Sequence, residues 1–143
     1  MARILVVEDD PTQRKLIETF MKMGGHEVLI AGTVEQGMTA LQLGMTDLLI
    51  VDVLLPGKSG IDLCRTLRSQ PTTRDLYILL ATVSDDPEIK EQGEAAGADD
   101  FVHKPLRCDE LLGRVRVGLR VKDLQGKIRD LESKLRRLER RYS

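Results

Sequence analysis

Apolar residues occur in short runs along the chain, and longer segments of mixed polarity separate them. The runs cover residues 4–7, 28–31, 48–51, 78–81 and 101–102. Short continuous apolar runs bounded by polar and turn-forming residues are typical of buried strands, and the segments between them show helical spacing. The order βαβαβαβαβα therefore predicts an α/β domain with a five-stranded parallel sheet that is covered by helices on both faces.

The residues between the runs include helix-capping and helix-ending residues at the places that this order requires. Asp10 followed by Pro11 is typical of a helix cap and a first-turn proline, and Thr33 with Gln36 forms a capping box. Glycine often ends a helix because it tolerates the left-handed conformation. Helix ends are accordingly expected at Gly24, Gly25 and Gly44.

The last predicted helix carries a heptad repeat of apolar residues, which is the pattern of a coiled coil. Lys127 and Lys134 fall at position g, five residues before Glu132 and Glu139 at position e, where a parallel partner would present them. This pattern predicts a parallel homodimer through residues 117–142. Position a holds Val121, Ile128, Leu135 and Tyr142, and position d holds Val117, Leu124, Leu131 and Leu138.

One alternative is a single amphipathic helix that lies on its own domain. At 1.5 Å per residue, however, the segment after residue 121 extends about 30 Å, which is farther than a small domain easily covers. Three glycines weaken the helix, since each costs about 1 kcal/mol relative to alanine in a helix interior. They are Gly113, Gly118 and Gly126.

Composition narrows the class of protein. The 143 residues are 41% hydrophobic and 31% charged, as in ordinary globular proteins. Cys64 and Cys108 match no metal-ligand spacing and are expected to be reduced thiols. No apolar run is long enough for a signal peptide or a membrane span, so the sequence predicts a cytoplasmic protein without a membrane partner.

Charge is uneven along the chain. Residues 1–121 contain 14 Lys/Arg and 19 Asp/Glu, whereas residues 122–143 contain 8 and 4. The basic residues of the tail alternate with acidic ones on the heptad flanks, which is typical of a solvated coiled-coil surface. Direct binding of nucleic acid is therefore not expected.

Acidic residues follow two of the predicted strands. Asp9 comes after the first apolar run and Asp52 directly after the third, with Glu8 and Asp10 beside Asp9. The carboxyl ends of parallel strands meet at one edge of a sheet, so these carboxylates should lie together and repel one another. A bound divalent cation removes that repulsion, and a set of oxygen ligands suits Mg²⁺ or Mn²⁺.

The fourth and fifth runs end in residues that complete a site for phosphoryl transfer. Thr82 follows the fourth run and Lys104 follows the fifth. A carboxylate beside Mg²⁺ can attack phosphorus and form an acyl phosphate, with a nearby cation and hydroxyl to bind the phosphoryl oxygens. Asp52, Lys104 and Thr82 are therefore the candidate catalytic residues.

Four motifs in this order resemble the receiver domain of bacterial two-component response regulators. They are ILVVEDD at 4–10, VDVLLPGKSG at 51–60, AT at 81–82 and GADDFVHKP at 97–105. The likeness covers residues 3 to about 120, so we expect a receiver domain at 1–120 and a coiled-coil extension or linker at 121–143. It implies a flavodoxin-like (βα)5 fold with strand order 2-1-3-4-5.

The resemblance also implies roles for single residues. Asp52 would accept a phosphoryl group from a sensor histidine kinase or a phosphotransfer protein, and the Lys104–Pro105 bond is expected to be cis. The expected metal ligands are Asp9, Asp52, the backbone carbonyl of Leu54 and, through water, Glu8. Lys104 would contact the phosphoryl group, Thr82 would be the switch hydroxyl and Phe101 the switch aromatic.

The function implied is a phosphorylation-activated signalling switch that acts through the last helices and the coiled coil. An enzyme with a separate catalytic domain is not expected. The run LERRYS at 138–143 is similar to sequences that lead into PAS domains, so a truncated chain is expected, with a PAS, diguanylate cyclase, phosphatase or kinase module downstream.

Two other classes remain open. One is a pseudo-receiver that dimerises independently of phosphorylation, against which the intact acidic set, Thr82 and Lys104 argue. The other is a phosphatase similar to haloacid dehalogenases, which usually carry a second acid two residues after the nucleophile. Leu54 occupies that position here.

Overall fold

The computed structural model describes residues 2–142. Met1, the first residue of the predicted receiver domain, and Ser143, the last residue of the predicted extension, lie outside the described residues. Strands and helices alternate along the chain as predicted. The elements are β1 (Arg3–Val7), α1 (Pro11–Met23), β2 (Glu27–Ala31), α2 (Val34–Gln42), β3 (Leu48–Asp52), α3 (Gly60–Arg68), β4 (Tyr77–Thr82), α4 (Pro87–Ala96), β5 (Asp100–His103) and α5 (Cys108–Tyr142).

All strand pairs are parallel and the order across the sheet is β2-β1-β3-β4-β5, which confirms the prediction. Each strand is longer than its apolar run by one or two residues, because pairing continues through neighbouring residues. Arg3 pairs with Glu27 at one edge, and Asp52 and Thr82 are themselves the last residues of β3 and β4. Two of the predicted chemical groups are thus anchored by the sheet itself.

Helices cover both faces of the sheet. One core lies between the sheet and the pair α1 and α5, where Ile17, Met21 and Val115 are buried. The other lies under α2, α3 and α4, with Leu63 and Leu67 among its buried residues. The central strands are buried on both sides, which explains why they read as continuous apolar runs.

The predicted caps are present. The Thr12 N–H donates to Oδ1 of Asp10 (2.9 Å), and the Gln36 N–H donates to Oγ1 of Thr33 (3.1 Å). Gly60 begins α3 so close to β3 that a Cβ there would lie 2.2 Å from the carbonyl oxygen of Asp52. Only a residue without a side chain permits this approach, and it places α3 directly behind the acidic site.

Helix α5 is continuous for 35 residues. Its first part packs on the domain, and farther along the Nη1 of Arg129 donates to Oδ2 of Asp75 (3.1 Å), ahead of β4. Gly118 is needed for the packing, because a Cβ there would lie 2.5 Å from the ring of Tyr77 and 2.8 Å from Leu48. Gly118 therefore has a packing role that its helix propensity did not suggest. The core-facing residues of α5 occupy heptad positions b, e and f, namely Leu111, Leu112, Val115, Gly118 and Leu119.

The predicted a and d residues lie on the other side of α5. Val121 packs partly against the core beside α1, but Val117 is 56% exposed and the a and d residues from Leu124 to Tyr142 are 49% to 82% exposed. We call this row, at positions a and d from Val117 to Tyr142, the seam. The alternative of an apolar face that lies on its own domain is therefore wrong.

Among residues 2–142, no helix has both the length and the hydrophobicity that crossing a bilayer requires.

Candidate functional site

The carboxyl ends of four strands bring the predicted chemical groups to one edge of the sheet. Glu8 and Asp9 directly follow β1, Asp52 ends β3, Thr82 ends β4 and Lys104 follows β5. The register keeps these ends level, since Asp52 pairs with Ala81 and Thr82 pairs with His103. The predicted grouping is therefore present in the fold.

Lys104 connects residues that are far apart in the chain. Its Nζ contacts both Oε1 of Glu8 and Oδ2 of Asp52, and its backbone N–H donates to the Thr82 carbonyl (2.9 Å). Its side chain is 12% exposed, so solvent screens this contact weakly. A single cation thus offsets the charge of two buried carboxylates.

Electrostatic strain remains in the cluster. The pKa of Glu8 is raised from 4.5 to about 7. Burial is the largest cause of this higher pKa, the hydrogen bond to Lys104 opposes it, and the adjacent Asp52 adds to the rise. Burial lowers the pKa of Lys104, but its hydrogen bonds to Asp52 and Glu8 outweigh burial and raise that pKa above its ordinary value. Lys104 therefore stays charged, whereas Glu8 takes up a proton near neutral pH.

The residues fit a divalent cation. Glu8, Asp9 and Asp52 each offer a carboxylate oxygen, and these atoms lie within 4.8 Å of one another. Oε2 of Glu8 is buried without a hydrogen-bond partner. An orphaned acceptor beside further acidic oxygens suits Mg²⁺ or Mn²⁺. Leu54 as a carbonyl ligand stays a prediction, and Asp10 acts as the cap of α1.

The loop after β3 orients the candidate nucleophile. The Leu54 N–H donates to Oδ1 of Asp52 (2.9 Å), while Oδ2 contacts Lys104. Asp52 is 9% exposed, and the Leu54 side chain beside it is 68% exposed. Both oxygens of the nucleophile are thus held, and the exposed residue two positions later is apolar.

The two predicted switch residues occupy neighbouring strands. Oγ1 of Thr82 accepts the Ser84 N–H (3.0 Å), and the Phe101 ring packs on the core under α2, α3 and α4. A Cβ at Gly93 of α4 would lie 2.5 Å from that ring, so Gly93 leaves the space in which the ring lies. The Lys104–Pro105 bond is cis, as predicted.

Sequence reasoning missed Arg14, which organises the loop after β1. Its Nη1 donates to the backbone carbonyls of Glu8 (3.2 Å) and Asp9 (3.4 Å). A Cβ at Gly32 would lie 2.4 Å from this Nη1, so the guanidinium depends on that glycine. The sequence does place a basic residue near the start of α1, beside the acidic pair. The direction in which its side chain extends, however, depends on the tertiary packing.

Comparisons with known proteins agree with this geometry. The sequence matches the response regulator receiver domain over residues 4–116. It is 39% identical over 120 residues to the phosphate regulon transcriptional regulatory protein PhoB of Rhizobium meliloti, covering 84% of this chain and 53% of that protein. It is also 37% identical to the DNA-binding response regulator MtrA of Mycolicibacterium smegmatis, covering 82% of this chain and 50% of that protein.

A solved structure is similar over the same region. The chemotaxis protein CheY4 of Vibrio cholerae is 28% identical, with a TM-score of 0.79 over 83% of this chain and 99% of that one. The two sequence relatives are longer, and the chain spans about half of their length.

Proposed function

The chain belongs to the response regulator receiver domain family, and from this premise we propose that it is a phosphorylation-activated switch that accepts a phosphoryl group on Asp52. The observation that supports this most directly is the grouping of Asp52, Lys104 and the acidic pair after β1 at one edge of the sheet. Each group has a defined use in phosphoryl transfer.

In this proposal an oxygen of Asp52 attacks the phosphorus of a phosphohistidine on a sensor histidine kinase or a phosphotransfer protein. The new O–P bond forms as the P–N bond breaks, and the electron pair leaves with the ring nitrogen of the donor. Glu8, Asp9, Asp52 and the Leu54 carbonyl would hold a Mg²⁺ ion, which neutralises charge on the phosphoryl oxygens when bound. Asp52 supplies the nucleophile within that set.

Lys104 has two successive roles. Before transfer, its ammonium group offsets the charge of Glu8 and Asp52 and holds one oxygen of the nucleophile. After transfer, the same group would contact the phosphoryl oxygens, because the new negative charge attracts it more strongly than the carboxylate did. The chain thereby assists its own phosphorylation without a separate enzymatic domain.

The signal would pass from Asp52 to α5 through β4 and β5. Thr82 would turn its hydroxyl from the Ser84 N–H toward the phosphoryl group, and Phe101 would respond in its space beside Gly93. Both residues lie on strands that border the α4 and α5 side of the domain. A local change of charge would thus alter a helical surface.

Intact mass spectrometry tests this function. The purified chain is incubated with acetyl phosphate and Mg²⁺, and Asp52→Asn and a metal-free sample serve as controls. We expect one phosphoryl adduct that requires both Asp52 and the metal. Absence of an adduct, together with failure to bind beryllofluoride as a stable phosphoryl mimic, would instead support the pseudo-receiver that dimerises without phosphorylation.

We further propose that a second copy of the chain covers the seam in a parallel coiled coil. All charged residues at position g after Val117 are basic and all those at position e are acidic. In a parallel dimer g lies opposite e, whereas an antiparallel dimer would oppose like charges. Position g holds Arg120, Lys127, Lys134 and Arg141, and position e holds Glu132 and Glu139 after Gln125.

The output of the switch is proposed to be a separate module, on this polypeptide or another. Residues 2–142 form one α/β domain and one long helix. The relatives are named as transcriptional and DNA-binding regulators, which adds a DNA-binding module to the PAS, diguanylate cyclase, phosphatase and kinase candidates. A cytoplasmic location is part of this proposal, because the phosphodonor sites of sensor kinases are expected there.

A further inference from the structure

Arg114 is held against the receiver domain although it continues the heptad of the seam. Its Nη1 lies 3.0 Å from both Oδ1 and Oδ2 of Asp100, the first residue of β5. Its Nε lies 3.5 Å from Oε1 of Glu110, one turn earlier in α5. These contacts raise the pKa of Arg114, with its hydrogen bond to the Asp100 carboxylate as the largest cause. The guanidinium is thus directed toward β5.

The heptad assigns a different environment to the same residue. Arg114 occupies position a, one heptad before Val121 and three residues before Val117, the first apolar residue of the seam. In a parallel dimer the two residues at each a position face each other. Two arginines at this level would repel each other and would lose hydration as the seam closed.

We propose that Asp100 holds Arg114 away from the seam and that β5 thereby sets the N-terminal limit of the coiled coil at Val117. This inference rests on the proposed parallel homodimer and adds to it a residue pair that specifies where the interface begins. A carboxylate on the receiver neutralises a charge that would otherwise oppose association. The dimer interface is therefore not independent of the domain that carries it.

Asp100 also joins this limit to the switch. Its Oδ1 accepts the backbone N–H of Phe101 (2.8 Å) as well as the guanidinium of Arg114. One carboxylate thus contacts both the backbone of the switch aromatic and the guanidinium beside the seam. Arg114 is a positioning residue for the interface, and it has no contact with the phosphoacceptor.

The test is sedimentation equilibrium of the whole chain and its Arg114→Leu variant. Leucine at position a would extend the seam by one heptad, so we expect dimerisation to become about tenfold tighter. Arg116→Leu is the matched control, because Arg116 is exposed at position c and gains the same side chain outside the seam. Its dimerisation should stay within about twofold of that of the natural chain. Thermal melting followed by circular dichroism shows that each variant is folded.

Asp100→Asn completes a double-mutant cycle. In the natural background it releases Arg114 toward the seam and should weaken dimerisation about threefold. In the Arg114→Leu background it should have no effect, because the charge that it restrains is gone.

Each other result counts against a defined part of the proposal. Weaker dimerisation of Arg114→Leu would show that Arg114 makes ion pairs across the interface, and it would overturn the inference while leaving a dimer. An unchanged dissociation constant in Arg114→Leu would also overturn the inference. So would an equal effect of Asp100→Asn in both backgrounds. Monomers at every concentration, for the natural chain and the variants alike, would overturn the homodimer itself and the inference with it.

Discussion

The acidic site and the seam of α5 both have groups that the rest of the chain leaves without a partner or a cover, but these groups are of different kinds. At the site, a buried oxygen of Glu8 lacks a hydrogen-bond partner, and three carboxylates lie together while Lys104 contacts two of them. Along α5, apolar side chains that are about half exposed or more repeat at every a and d position from Leu124 to Tyr142. A cation would complete the first region and a second copy would complete the other.

The difference lies in how each interaction is built. The site depends on a few charged atoms in a fixed geometry, so one substitution can remove its chemistry. The seam depends on the sum of many similar contacts, each of which contributes part of the association free energy. Changes at the two regions should therefore separate cleanly, with phosphorylation lost in one case and dimerisation in the other.

Lys104→Met should give the largest effect and should be confined to the site. It removes the cation that orients Asp52 and would stabilise the developing charge, so the rate of phosphorylation by acetyl phosphate should fall at least about a hundredfold. Intact mass spectrometry over time measures this rate. Lys58→Met is the control, since the exposed Lys58 side chain, in the loop after β3, contacts Thr66 of α3 and not Asp52. Equal rates in both variants would remove Lys104 from the mechanism.

Leu131→Asp is the counterpart in the seam. It places two facing carboxylates at position d of the proposed dimer, and the dissociation constant should rise at least about a hundredfold. Sedimentation equilibrium measures the constant, and the phosphorylation rate of the monomeric receiver should stay unchanged. Leu43→Asp is the control, because Leu43 is 77% exposed at the end of α2. Loss of the dimer in that control would place the interface elsewhere.

Two glycines of α5 test the boundary between the regions. Gly118→Ala should lower the free energy of unfolding by about 1–3 kcal/mol, since its Cβ would overlap Tyr77 and Leu48. Gly126→Ala should raise that free energy by about 0.5–1 kcal/mol, because a Cβ there meets no atom within 4 Å and alanine favours helix. Urea denaturation measures both. A loss of stability with Gly126→Ala would mean that the surface of α5 at Gly126 is packed and not open.

The pH dependence of metal binding should give the smallest effect. Glu8, with its pKa near 7, binds a cation only when it is deprotonated, so Mg²⁺ affinity should rise as pH increases through 7. We expect a change of about tenfold or less between about pH 6 and pH 8 by isothermal titration calorimetry. Glu8→Gln should remove this dependence, and a dependence that persists in that variant would assign it to another group.

The same shift determines the effect of pH on folding stability. Because the folded pKa of Glu8 lies above its ordinary value of 4.5, its contribution to the stability of the metal-free protein is complete below 4.5 and is lost as pH rises through about 7. Metal binding should oppose this loss, since the cation stabilises the charged form.

Local pattern was sufficient for much of this fold. Strand runs, caps such as Asp10 and the order of elements depend on neighbouring residues, and the structure confirms them. The grouping of Asp9, Asp52, Thr82 and Lys104 was also accessible, because parallel strands present their carboxyl ends at one edge. The exact ends of strands were not, since pairing with a neighbouring strand extends them past the apolar residues.

The sequence by itself determined the order of strands and helices along the chain, the acidic edge and the heptad pattern of the last helix, because these follow from periodicity and from the direction of parallel strands. The strand order across the sheet came from the resemblance to receiver domains, and the structure confirms it. Tertiary structure decided that Lys104 contacts Glu8 and Asp52 together, that Arg14 binds the carbonyls of the first loop and that Arg114 turns toward Asp100. Such contacts join residues far apart in the chain. They depend on the conformations that long side chains adopt once the strands and helices have packed, and no local sequence pattern specifies those conformations.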